Sequence, residues 1–112
     1  MTVEPLPHNE AVRVLRATGE LDISAVSPML PRLDALVAGA RGVVLDLTEV
    51  TFFDSSGVRL VDQLARQCAR TTAPFRVVAP PGGSSRRVLE LVGLAAPLVS
   101  DDLPTALELL RR

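Results

Sequence analysis

Residues 42–68 read GVVLDLTEVTFFDSSGVRLVDQLARQC, and the fold class is decided there. Val43-Val44-Leu45-Asp46-Leu47 is an apolar run bounded by Gly42 and by polar residues, which reads as a strand buried on both faces. Such a strand needs helices packed against the sheet. One follows at once: after Thr51-Phe52-Phe53 comes Asp54-Ser55-Ser56-Gly57, and then Val61, Leu64, Ala65 and Cys68 fall at i, i+3, i+4 and i+7. That is an amphipathic helix preceded by its cap.

The pattern repeats on either side. Upstream, Val12, Val14 and Leu15 predict a strand over residues 11–17, ended by Gly19-Glu20-Leu21-Asp22, where glycine supplies a turn and Asp22 or Ser24 caps the next helix. Val26, Leu30, Leu33 and Val37 keep helical spacing, and Pro28 and Pro31 predict that regular helix starts late, after an irregular first turn. Val3 to Leu6 form a short edge strand, since Pro5 lacks a donor, within a loose N-terminal segment of residues 1–10. Downstream, Phe75 to Ala79 is a strand and Pro80-Pro81-Gly82-Gly83 a turn. Ser84 or Ser85 then caps a short helix that ends near Gly93. Leu98-Val99 adds a brief strand, and Asp101-Asp102 leads into a helix with Leu103, Ala106, Leu107 and Leu110 on one stripe. Without repeats or linkers, residues 1–112 form one domain: an α/β fold whose mixed sheet, parallel with antiparallel pairs at the N-terminus, packs with about four α-helices.

Composition removes most chemistries. The 112 residues carry 12 basic and 13 acidic side chains, a net charge of -1, so no basic field exists for a nucleic-acid backbone. Every one of the 12 cations is arginine, which excludes the P-loop ammonium, a Schiff base and a kinase's ATP-clamping lysine. His8 is the single histidine and reads as a solvated loop residue, so neither a histidine triad nor a His-rich metal site can be assembled. One cysteine, Cys68, permits no disulfide, and its place on the apolar stripe makes it a buried structural thiol. The acidic start without an apolar run, and the lack of any stretch long enough to cross a bilayer, predict a cytoplasmic protein. No cofactor and no metal are expected.

What remains is the loop at the start of the second helix. Asp54 or Ser55 caps it, and the free backbone N–H groups there equally suit an anion, so a phosphate on Ser55 would be well placed. Four segments together resemble a known family: Thr18-Gly19-Glu20-Leu21-Asp22, Val44-Leu45-Asp46-Leu47, Phe53-Asp54-Ser55-Ser56-Gly57 and Arg87-Val88-Leu89-Glu90-Leu91-Val92-Gly93-Leu94 stand in the order found in STAS domains of bacterial anti-sigma factor antagonists. The resemblance covers nearly the whole chain. It implies a non-catalytic partner switch, in which the unmodified antagonist binds an anti-sigma factor that is itself a serine kinase and so frees a sigma factor. The kinase phosphorylates the first serine after the aspartate, here Ser55, and a serine phosphatase removes the group. Loops at one edge of parallel strands tend to form one site, so Glu20, Leu21 and Asp22 are expected to contact the kinase together with Asp54, Ser55, Ser56 and Gly57. Arg59 stands where relatives often have a small residue and is expected to tune that contact. The alternative is a STAS subunit that regulates a transporter ATPase or a stress-sensing complex, with Ser55 never phosphorylated.

Two further segments carry residues of chemical interest. A phospho-accepting Asp46 would need an acidic pair and a lysine, which points to a structural role instead. Pro81-Gly82-Gly83-Ser84-Ser85-Arg86-Arg87 has the glycines and cations of a phosphate cradle, although without lysine it reads first as a turn and a capped helix.

Overall fold

Branched apolar side chains at consecutive positions can all be buried only where a strand has cover on both faces, and Val43 to Leu47 meet that condition in the computed structural model. The structure describes residues 2–6 and 12–111, with Glu4 to Leu6 described by their backbone alone. Five strands, β1 (Thr2–Leu6), β2 (Val12–Leu21), β3 (Gly42–Phe53), β4 (Phe75–Val78) and β5 (Val99–Ser100), lie side by side in chain order. β1 runs antiparallel to β2 at one edge, and β2, β3, β4 and β5 are mutually parallel. The sheet is therefore mixed, as expected, with its one antiparallel pair at the N-terminus. His8 and the remainder of the loose N-terminal segment lie outside the described residues.

Alternation along the strands sorts the core into two. Leu15, Ala17, Val43, Leu45, Leu47 and Val77 face the larger cluster, completed by Leu60, Leu64, Cys68 and Leu89 from the helices on that side. Val14, Val44 and Val78 face the other side and meet Ala106 of the C-terminal helix. Asp46 shares that second face, where it is 2% exposed. Its carboxylate accepts from the Thr48 amide at 3.0 Å, from the Thr48 hydroxyl, and from an Arg16 guanidinium nitrogen at 3.4 Å. It thus holds two neighbouring strands in register, the structural role its context suggested.

Two local expectations are corrected. β2 does not stop at Gly19 but continues to Leu21, because β3 goes on supplying partners as far as Phe53. Gly19, with φ of +84°, absorbs a register shift inside the strand rather than making a turn. The first helical stretch does not begin late. It starts directly after Asp22 as α1 (Ile23–Val26), tightens into a 3-10 turn over Ser27–Arg32, and resumes as α2 (Leu33–Val37). Pro28 and Pro31 both fall within the 3-10 turn, where a missing amide donor is tolerated more readily than in an α-helix interior. The other helices are α3 (Ser55–Arg70), α4 (Ser84–Leu91) and α5 (Leu103–Leu110), so the helical mass forms four units.

Two outcomes follow from this packing. Leu45 is fully buried in the larger cluster, so Leu45→Ala should cost about 2–5 kcal/mol in urea unfolding, whereas Ile23→Ala, at an exposed position, should stay within about 0.5 kcal/mol. Burial pushes the Cys68 thiol up to about 11, which keeps it protonated and unreactive. Iodoacetamide at about pH 8 should label it in denaturant and not in the native protein.

Candidate functional site

The register of β2 on β3 brings two chain segments together. Glu20 pairs with Phe52 and Leu21 with Phe53, so the next residues, Asp22 and Asp54, leave adjacent parallel strands at the same edge. Each is extended and each caps the helix that follows. Asp22 accepts from the Ala25 amide and from the Ser24 hydroxyl, both at 2.9 Å. Those two bonds, the amide foremost, hold its carboxyl below the usual carboxylate range. Asp54 accepts from the Ser56 amide at 2.8 Å. The two readings of the cap at α3 are resolved in favour of Asp54, which leaves Ser55 as the first residue of the helix.

Ser55 is exposed, and its hydroxyl has no hydrogen-bond partner among the described residues. Ser56 is half-buried and its amide is held by Asp54. Glu20 and Arg59 are both exposed, and Arg59 lies four residues after Ser55, hence on the same side of α3 one turn along. Its guanidinium makes no ion pair or hydrogen bond among the described residues.

Two of the expected contact residues do not reach the surface. Leu21 is fully buried and packs in the larger core cluster, so it shapes the edge from beneath. Gly57 is buried too, because the Phe53 ring lies directly against it: a Cβ there would stand 2.4 Å from one ring carbon and 2.5 Å from another. Glycine lets strand end and helix start close on each other. In their place the edge presents two apolar side chains that the sequence pattern had not singled out, Ile23 at 68% exposure and Phe52 at 46%. Ile23 directly follows one capping aspartate and Phe52 stands two residues before the other, and the register brings their two chain segments to the same edge. Among the described residues no three His, Cys, Asp or Glu side chains gather to hold a metal ion, and no helix is long and apolar enough to cross a membrane.

A five-stranded mixed sheet with paired, aspartate-capped helix starts at its carboxyl edge is the architecture of a small α/β domain of the STAS class. The chain belongs to the family described as "Mlab, STAS domain", whose model matches residues 6–101. No curated protein sequence matches it significantly. Among solved structures, an anti-sigma factor antagonist from Mycobacterium paratuberculosis is 28% identical, with a TM-score of 0.82 over 99% of this chain and 94% of that one. The anti-sigma factor antagonist SpoIIAA in its unphosphorylated form shares 23% identity and a TM-score of 0.80 over 98% of this chain and 96% of its own. The phosphorylated form of the Bacillus cell fate determinant SpoIIAA shares 22% identity and a TM-score of 0.73, over 99% and 100%. Both forms of that protein therefore have the fold seen here.

The contact between Gly57 and Phe53 predicts a specific failure. Gly57→Ala should destabilise the chain by about 1–3 kcal/mol through overpacking, measured by thermal or urea unfolding, and Phe53→Leu in the same background should restore part of the loss. Asp54→Ala should cost about 0.5–2 kcal/mol as a lost cap.

Proposed function

We propose that the chain is an anti-sigma factor antagonist, a binding module and not an enzyme. In its unmodified state it binds an anti-sigma factor serine kinase, which frees a sigma factor. The kinase phosphorylates Ser55 and a serine phosphatase reverses the step. The observation that carries this reading is the Ser55 hydroxyl, exposed and unpartnered at the first position of α3, beside a second capped helix start on the same edge. A kinase needs an accessible hydroxyl that no structural hydrogen bond must release. The likeness to solved anti-sigma factor antagonists supports the same role. On this reading the protein works in the cytoplasm, without direct contact with nucleic acid and without membrane insertion.

The partner covers Glu20, Asp22, Asp54, Ser55, Ser56 and Arg59, and the apolar rim of Ile23 and Phe52 supplies desolvation energy that the charged groups lack. Phosphorylation adds about -1.5 to -2 charges at the centre of that surface. Within the domain the new charge meets opposing influences: Asp54 repels it, while the α3 N-terminus, worth roughly 0.3 to 1 kcal/mol, and the unpaired Arg59 one turn along attract it. These are small against the about 5 to 15 kcal/mol that typically separates folded from unfolded states. The modification therefore acts locally, by placing a dianion that must be desolvated where the partner's surface would close.

The test uses the cognate kinase with ATP. One phosphate should be incorporated, Ser55→Ala should abolish it and Ser56→Ala should not. Ser55→Asp should weaken capture of the kinase from cytosol relative to wild type. Amide exchange of the phosphorylated protein should change only near residues 54–60. Modification at Ser56, or loss of protection across β3 or α5, would overturn the scheme. So would equal capture of a different assembly by wild type and Ser55→Asp, which is what a STAS subunit of a transporter or stress complex would give.

A further inference from the structure

Arg59 is a cation that the fold leaves without an acceptor. On α3 its neighbours three and four positions away are Ser55 and Ser56 on the turn before, and Asp62 and Gln63 on the turn after. Asp62 is taken, since its carboxylate accepts from Nε of Arg66 at 2.9 Å, and Gln63 is neutral. At the cap, Asp54 accepts from the Ser56 amide at 2.8 Å and forms no ion pair with Arg59. Asp22, on the neighbouring helix start, is occupied by the Ala25 amide and the Ser24 hydroxyl. Exposed and with no ion pair or hydrogen bond among the described residues, Arg59 takes whichever anion comes within its reach.

Two anions can come within that reach, one at a time. A phosphate on Ser55 would stand one turn before Arg59 on the same side of the helix, with the anion nearer the N-terminus, the order that the helix dipole favours. The planar fork of guanidinium donors also matches phosphate oxygens. While Ser55 is unmodified its neutral hydroxyl holds nothing there. The surface assigned to the partner then carries Glu20, Asp22 and Asp54 as its anions and Arg59 as its cation. A partner that closes over this surface would bury the guanidinium, and burial without an acceptor is costly. The partner must therefore bring a carboxylate to it.

We propose that Arg59 is a counter-ion shared between two states: it binds a carboxylate of the kinase while Ser55 is unmodified, and turns back onto the phosphate once Ser55 carries one. The inference rests on the phosphorylation scheme above and names the residue that couples the modification to release. Phosphorylation then acts twice on one surface. It adds a dianion, and it withdraws the cation that the partner's carboxylate needs, which leaves that carboxylate facing a phosphate.

Phosphoserine incorporated in place of Ser55 by an expanded genetic code tests the intramolecular half without any kinase. The phosphorus NMR signal is followed against pH in the otherwise wild-type chain, in Arg59→Gln and in Arg59→Lys. The second phosphate ionisation should fall about 0.2–0.4 pH units lower with Arg59 than with glutamine, the size of an exposed pair one turn apart, and the gap should close in about 1 M salt. Arg59→Lys should lie between. Asp54 and the α3 N-terminus are common to all three chains, so their influence cancels. Arg59 is exposed, so the melting temperatures should coincide. The intermolecular half uses unmodified chains and the cognate kinase: Arg59→Gln should weaken binding by about three- to tenfold, and Arg59→Lys should recover part of the loss. Identical phosphate titrations with arginine and glutamine, or a kinase affinity that Arg59→Gln leaves unchanged, would each overturn the proposal. A kinase that modified a residue other than Ser55 would instead overturn the scheme beneath it, a result the phosphate titration cannot produce.

Discussion

Everything else in this molecule depends on the two-sided burial of β3. Residues Val43 to Leu47 are covered by α3 and its companions on one face and by α5 on the other, and they hydrogen-bond to a parallel strand on each side. A strand so enclosed has one register and no freedom to slip, because a shift of one residue would exchange the two cores. Its outer half, from Thr48 to Phe52, emerges from that enclosure and carries the fixed geometry to the surface. The rigid half sets the position, and the emergent half presents the function.

From that constraint the helix starts along the carboxyl edge acquire different characters. At the tips of β2 and β3, an aspartate side chain answers one backbone amide of each helix start. At α4 a glycine holds the capping position, and no side chain answers the first amides of the helix. One residue type at one structural position separates a helix start capped by a side chain from one that is not.

Sequence reading reached the strands and helices because their signals are local. Apolar residues at consecutive positions mark β3, and the caps at Asp54 and Asp102 precede clear helical stripes. The misreadings share a cause. A glycine with positive φ serves a turn or a bulge equally well, so the role of Gly19 was settled only by how long β3 continued to offer it partners. Ser84 and Ser85 are both good capping residues, but Gly83 already held the extended conformation that a cap requires. The family resemblance indicates which segments matter without saying which side chains face out, and Leu21 and Gly57, inside two of those segments, are buried. Ile23 and Phe52 show the opposite case. An apolar residue beside a strand end is assigned to the core by default, and exposure at such a position is visible only in three dimensions.

The strand order, which follows the chain without a single crossing back, bears on how the molecule is made. Each strand after the first pairs with the one synthesised immediately before it, so an edge is always waiting as the next segment leaves the ribosome. The two faces do not mature together, however. The α3 side is filled by residues up to Leu89 and Val99, whereas Val14, Val44 and Val78 wait for Ala106 in α5, the final described element. Until that helix arrives the nascent chain displays a strip of valines, Val14, Val44 and Val78, with nothing of its own to cover it.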